Sequence, residues 1–145
     1  MCWGLFLAIP VGIVPPPVPP EWDDREGLAT WFEPNPWVQI VFGDAFSCWI
    51  LGHAQHCSCG CIDSRGINGR VELKALAAKY ICHIAETMNL AFAIHWTTGS
   101  YAEEELPFEI TTSITQAELR RSINTARFKT DEFVWVQGPT GNSSL

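Results

Sequence analysis

The chain has few basic residues: nine Lys and Arg stand against sixteen Asp and Glu, which gives a net charge of -7 over 145 residues. Nucleic-acid binding needs clustered Lys and Arg to neutralise phosphates, and the sequence contains no such cluster. We therefore expect no nucleic-acid partner. An acidic surface leaves room for a basic protein partner, because complementary charge speeds encounter.

Long apolar runs are also missing. The longest, residues 2–14, is interrupted by a proline and two glycines and is too short to cross a bilayer as a helix. No Lys or Arg precedes Arg25, so the basic region that opens a secretory signal is absent. We expect a cytoplasmic protein that does not associate with membranes. In that reducing compartment, six cysteines are more often thiols, metal ligands or redox groups than a disulfide framework.

Several catalytic signatures are absent as well. The sequence has no phosphate-cradling glycine loop, no serine nucleophile elbow, no H-E-x-x-H motif and no C-x-x-C pair. These absences favour a non-enzymatic protein, although they leave an enzyme open.

Apolar residues, by contrast, are plentiful, and they predict the fold. They make up 47% of the chain, with seven tryptophans, which is enough for the core of one domain of this length. Apolar runs and alternation predict six strands, at residues 2–9, 37–42, 46–51, 90–96, 108–112 and 132–136. Residues 43–45 are expected to close a hairpin between the second and third of these. A proline-rich segment, residues 15–20, is expected to be a rigid connector.

Helical periodicity is strongest between residues 70 and 88, where apolar residues recur at three- and four-residue steps. Thr115 and Glu118 have capping-box spacing and predict a short second helix to about residue 123. Leu28, Trp31 and Phe32 suggest one further apolar helical face. The expected fold is α+β, with residues 1–137 forming one domain: a mostly antiparallel sheet of about six strands packed by one long and one short helix. Residues 138–145 are expected to be a flexible tail.

The most concentrated chemistry lies in residues 53–61, which hold three of the six cysteines and two of the four histidines. Thiolates and imidazoles suit a transition metal, and Zn²⁺ takes four such ligands in a tetrahedron. We expect Cys57 and Cys59 to be the core ligands. The remaining candidate ligands are Cys61, Cys2, His53 and His56. The C-x-C spacing is tighter than the C-x₂₋₄-C of ordinary zinc sites, because it gives the backbone less room to curl around one ion.

Two other chemistries remain open for the same residues. Cys59 and Cys61 could close a small, strained and easily reduced disulfide, with His56 favouring the thiolate. A cysteine nucleophile is the other alternative: Cys2 with its own α-amino group as base if Met1 is removed, or Cys57 with His53, His56 or His95 as base. Cys48 in a strand and Cys82 in the long helix are expected to be buried as small hydrophobes.

Several of these features, in order, resemble a family of small uncharacterised bacterial proteins. The matching pieces are Met1-Cys2, Leu5-Phe6-Leu7-Ala8, Gly52-His53, Cys57-Ser58-Cys59-Gly60, Trp96 and Phe133 to Val136. The chain departs from that pattern in having Cys61 where an aromatic is expected, and an additional His56. The family has no established activity, so the resemblance points to Cys2, Cys57 and Cys59 without implying a reaction.

A different class of function would not involve the cysteines. A small acidic bacterial protein could be an inhibitor of the immunity-protein type that neutralises a basic toxin. The acidic run Glu103-Glu104-Glu105, the pair Asp23-Asp24 and surface tryptophans would form its interface. The sequence leaves the oligomeric state open.

Overall fold

A computed structural model describes residues 2–22, 27–53, 58, 61, 71–106, 110–124 and 131–138. Its strands are β1 (Cys2–Pro10), β2 (Leu28–Phe32), β3 (Phe46–His53), β4 (Leu90–Thr97), β5 (Ile110–Ile114) and β6 (Phe133–Val136). Its helices are α1 (Pro36–Phe42), α2 (Val71–Ala85) and α3 (Gln116–Asn124), with a short 3-10 turn at Pro20–Trp22.

The six strands form one sheet in the order β2-β3-β1-β4-β6-β5. All neighbours are antiparallel except β5 and β6, which run parallel and are joined through α3. A parallel pair needs a crossover connection, and the helix supplies it. The predicted α+β fold with a mostly antiparallel six-stranded sheet is confirmed. The sheet draws on the chain from residue 2 to residue 136, whereas the predicted tail beyond residue 138 lies outside the described residues.

The strand predicted at residues 37–42 is wrong, because this segment is α1. Asn35 caps the helix by accepting a 2.9 Å hydrogen bond from the Trp37 backbone N–H, and Pro36 occupies the first turn, where its missing N–H costs nothing. Val38 and Phe42 lie four residues apart on the buried side. Gly43, with a φ of 83°, ends the helix, so residues 43–45 join α1 to β3 and do not close a hairpin.

The helical face predicted from Leu28, Trp31 and Phe32 is also wrong, since these residues belong to β2. This strand pairs along its whole length with β3, for example Trp31 with Ile50. Non-local pairing decides the conformation of such a short apolar segment, and its spacing alone does not. The prediction of six strands is nevertheless correct, because β2 adds an unpredicted strand and α1 replaces a predicted one.

The sheet is covered on both faces, and strand alternation divides the core into two clusters. Leu5, Leu7 and Ile9 of β1 face α2 and α3, while Phe6 and Ala8 face α1 and the segment around Leu106. The capping box of α3 is confirmed, because Thr115 and Glu118 exchange hydrogen bonds between side chain and backbone. We call the two sides of the sheet the α2 face and the α1 face.

Candidate functional site

Ser58, the middle residue of the C-x-C motif, is fully buried and inserts between β1 and β3. Its hydroxyl accepts a 2.8 Å hydrogen bond from the Leu5 N–H and donates a 2.5 Å bond to the Leu51 carbonyl. Its backbone N–H donates to the Trp3 carbonyl at 3.1 Å. β1 pairs directly with β3 only from Phe6 to Pro10. Nearer the start of β1, Ser58 supplies the hydrogen bonds of the Leu5 N–H and the Trp3 carbonyl.

Two candidate ligands lie on the α2 face near this anchor. His53 is the last residue of β3, and alternation places it on the same face as Leu51. Cys61 is fully buried in the core cluster of the α2 face, and its N–H donates to the Ser58 carbonyl at 3.0 Å. Both therefore lie on one side of the sheet, at the end where β1 begins.

Cys2 is separated from these two by the sheet itself. It opens β1 opposite Thr97 of β4, and alternation places its side chain on the α1 face with Phe6 and Ala8. The thiol is half-buried and free. The proposed ligands Cys57, Cys59 and His56 lie outside the described residues. Within the described part of the chain, no group of three or more His, Cys, Asp or Glu side chains is placed to hold a metal ion.

A second cluster lies on the α1 face at the same end of the sheet, and the sequence did not reveal it. His95 of β4 makes a 2.5 Å hydrogen bond from Nδ1 to Oδ1 of Asp131. A carboxylate can only accept, so Nδ1 carries the proton. The other ring nitrogen, Nε2, is buried and lies 3.9 Å from Oε2 of Glu104. The histidine ring is thus flanked by two carboxylates from different loops.

Each carboxylate of this cluster is held by its own backbone contacts. Asp131 has a φ of 65°, a left-handed conformation in which Asp is tolerated, and its N–H donates to the Ile94 carbonyl at 2.8 Å. Glu104 Oε1 accepts from the backbone N–H of Thr98 at 2.9 Å and from its hydroxyl at 3.0 Å. Those two bonds hold the pKa of Glu104 below its ordinary value.

No protein-family model, curated protein or solved structure matches the chain. The resemblance to small uncharacterised bacterial proteins therefore stays a prediction.

The sequence held a weak signal for the His95 cluster. From the sequence, the acidic run at residues 103–105 is assigned to a partner interface, yet its middle residue, Glu104, bonds to Thr98 and faces His95. Alternation in β4 places His95 on the same face as Ala91 and Ala93. No local spacing links it to Asp131, which is 36 residues away.

The buried thiols behave as predicted. Cys48 and Cys82 are nearly or fully inaccessible and belong to the two core clusters. Burial raises the pKa of both thiols, helped at Cys48 by the negative charge of Glu33 and partly offset at Cys82 by Arg120. Neither is a reactive thiolate at neutral pH. None of the described helices is both long and apolar enough to span a membrane.

Proposed function

We propose that the loop between β3 and α2 binds a transition metal ion, with Zn²⁺ the expected ion, and that the protein is non-enzymatic. The observation that supports this is the burial of Ser58 between β1 and β3. Ser58 is directly bonded to Cys57 and Cys59, so three hydrogen bonds attach the thiol-bearing motif to the sheet. A preorganised attachment lowers the entropy cost of gathering ligands around an ion.

The geometry narrows the proposed ligand set. Because His53 shares the α2 face with the anchor, we propose it as a ligand beside Cys57 and Cys59, with His56 as the fourth. Cys61 packs in the core, where a thiol serves as a small hydrophobe. Cys2 faces the other side of the sheet. We therefore propose Cys61 and Cys2 as less favoured ligands than the other four.

Elemental analysis of protein purified without a metal-affinity tag tests the proposal. We expect about one equivalent of zinc per chain, because three or four ligands of this kind define one site. Cys57→Ser combined with Cys59→Ser should abolish binding, and His53→Ala should weaken it. Cys2→Ser is the matched control and should retain the metal. Sub-stoichiometric metal that the double substitution leaves unchanged would contradict the proposal.

The thiol redox alternative predicts a different result from the same protein. A disulfide within residues 57–61 would protect two thiols, so mass spectrometry should find two fewer alkyl groups after alkylation without reductant than after alkylation with reductant. This alternative uses Cys61, which is fully buried in the core of the α2 face, whereas the proposed metal site does not depend on Cys61. Because a buried thiol is less accessible to oxidants and reductants, we prefer the metal site.

The acidic-inhibitor alternative rests on charge. Glu103 and Glu105 are exposed and available to a basic partner, whereas Glu104 is engaged with Thr98. It predicts a toxin gene beside this one and tight, salt-sensitive binding to its product. Both functions are compatible with the cytoplasmic location that we propose from the sequence.

A further inference from the structure

A cavity of about 290 Å³ lies between α2 and α3. Ala75, Ala78 and Lys79 line it from α2, and Arg120 lines it from α3. The two alanines occupy helix positions at which larger side chains would fill the space. Among the described residues that line it, Lys79 and Arg120 are cationic and the other two are alanines.

This charge is unusual for a chain with sixteen acidic and nine basic residues. Within the described residues, neither Lys79 nor Arg120 forms an ion pair with a carboxylate. Two like charges that line one cavity repel each other, and solvent screens this repulsion only in part. An anion in the cavity would remove that repulsion and satisfy free N–H donors of both groups.

Both cations are held in place by contacts that leave donors free. The Lys79 ammonium lies 4.3 Å from the centroid of the Trp22 ring, a cation–π contact that uses no carboxylate. Arg120 lies beside the Cys82 thiol, on a helix that is fixed by its capping box and by the fully buried Leu119. Both side chains are exposed, and these contacts favour positions in which the two charges line the same cavity.

We propose that this cavity binds a small oxyanion of the phosphate class. A guanidinium offers paired N–H donors that match two phosphate oxygens, and an ammonium adds a point charge. The volume admits inorganic phosphate or the phosphoryl group of a small monoester. The proposal is independent of the metal site, because the four described lining residues lie outside residues 53–61.

Titration of the full-length chain with inorganic phosphate tests this proposal, with chloride balanced to keep ionic strength constant. Two-dimensional NMR of the backbone and arginine N–H groups would follow binding. We expect saturable shifts centred on Arg120 and Lys79. Arg120→Gln should weaken binding about tenfold or more, because it removes charge-assisted hydrogen bonds. Lys79→Gln should weaken it by a smaller factor.

Arg121→Gln is the matched control. It makes the same charge change at the next position of α3, which is exposed and does not line the cavity. We expect less than a twofold effect. Equal losses in Arg120→Gln and Arg121→Gln, or no saturable binding, would overturn the proposal in favour of nonspecific ion attraction. A parallel titration with glycerol phosphate separates the two sources: tighter binding of the ester identifies a phosphate monoester, and tighter binding of the free ion identifies phosphate itself.

Discussion

Two histidines lie at the same end of the sheet but on opposite faces. His53 ends β3 on the α2 face, next to the segment that Ser58 anchors. His95 lies in β4 on the α1 face, between Asp131 and Glu104. The first belongs to a dense local motif, whereas the second is surrounded by residues that are distant in sequence.

The two sides are built differently. On the α2 face, one serine connects the loop to backbone groups of two strands, so the attachment is buried and neutral. On the α1 face, charged side chains meet near the surface, and Asp131 is 60% exposed. Buried hydrogen bonds are costly to break, whereas exposed ion pairs are screened by solvent. We therefore expect the α2-face anchor to matter more for stability.

The sharpest test of this difference is Ser58→Ala. Loss of the hydroxyl leaves the Leu5 N–H and the Leu51 carbonyl without their partner in a buried site. We expect the free energy of unfolding to fall by about 2–4 kcal/mol, as measured by urea denaturation. Ser47→Ala is the matched control, since its hydroxyl makes one 3.2 Å bond to the Ile9 carbonyl in a half-buried position. That control should cost about 1 kcal/mol or less, and equal losses would refute the special role of Ser58.

Cys61 and Cys2 offer a second comparison across the sheet. Cys61→Ser puts a hydroxyl into the core of the α2 face, and we expect a loss of about 1–3 kcal/mol in unfolding free energy. Cys2→Ser changes a half-buried thiol at the strand end and should cost about 0.5 kcal/mol or less. The same urea titrations measure both. A larger loss for Cys2 would show that its thiol has a partner on the α1 face.

Asp131→Asn breaks the His95 cluster while keeping a residue that tolerates the left-handed conformation. The charge on the carboxylate that holds Nδ1 disappears, so the unfolding free energy should fall by about 1 kcal/mol or less, given the exposure of this side chain. Asp131→Ala adds the cost of a φ of 65° and should be the less stable of the two. The order of their thermal midpoints checks this, and the reverse order would exclude backbone strain as a contribution.

Glu104 gives the smallest effect, one that depends on pH. Because the Thr98 N–H and hydroxyl lower the folded-state pKa of Glu104, its contribution is fully present above the ordinary glutamate pKa and is lost as pH falls through the lowered value. The stability difference between the wild type and Glu104→Gln should therefore shrink on acidification. Urea titrations between pH 7 and the acid limit would show it. Glu103→Gln, one residue away, is the control and should show a smaller pH-dependent difference, whereas an equal one would implicate the acidic run as a whole.

Comparison of these regions also shows which features were predictable. Helical periodicity correctly predicted α2, and a continuous apolar run correctly predicted β4. Capping-box spacing correctly predicted the start of α3. Periodicity failed at residues 28–32 and 37–42, where a short apolar run is compatible with either conformation. Asn35 and Pro36 favour a helix at residues 37–42, whereas pairing with β3 favours a strand at residues 28–32.

The features of the candidate site likewise fall into those that the sequence determines and those that only the tertiary structure determines. The density of Cys and His in residues 53–61 is a property of the sequence, and so are the scarcity of basic residues and the presence of enough apolar residues for one core. The tertiary structure alone decided that Cys2 and His53 face opposite sides of the sheet, that Ser58 is the anchor, and that His95 meets Asp131 and Glu104. Strand register and alternation set these relations, because they bring together residues whose separation along the chain carries no local signal.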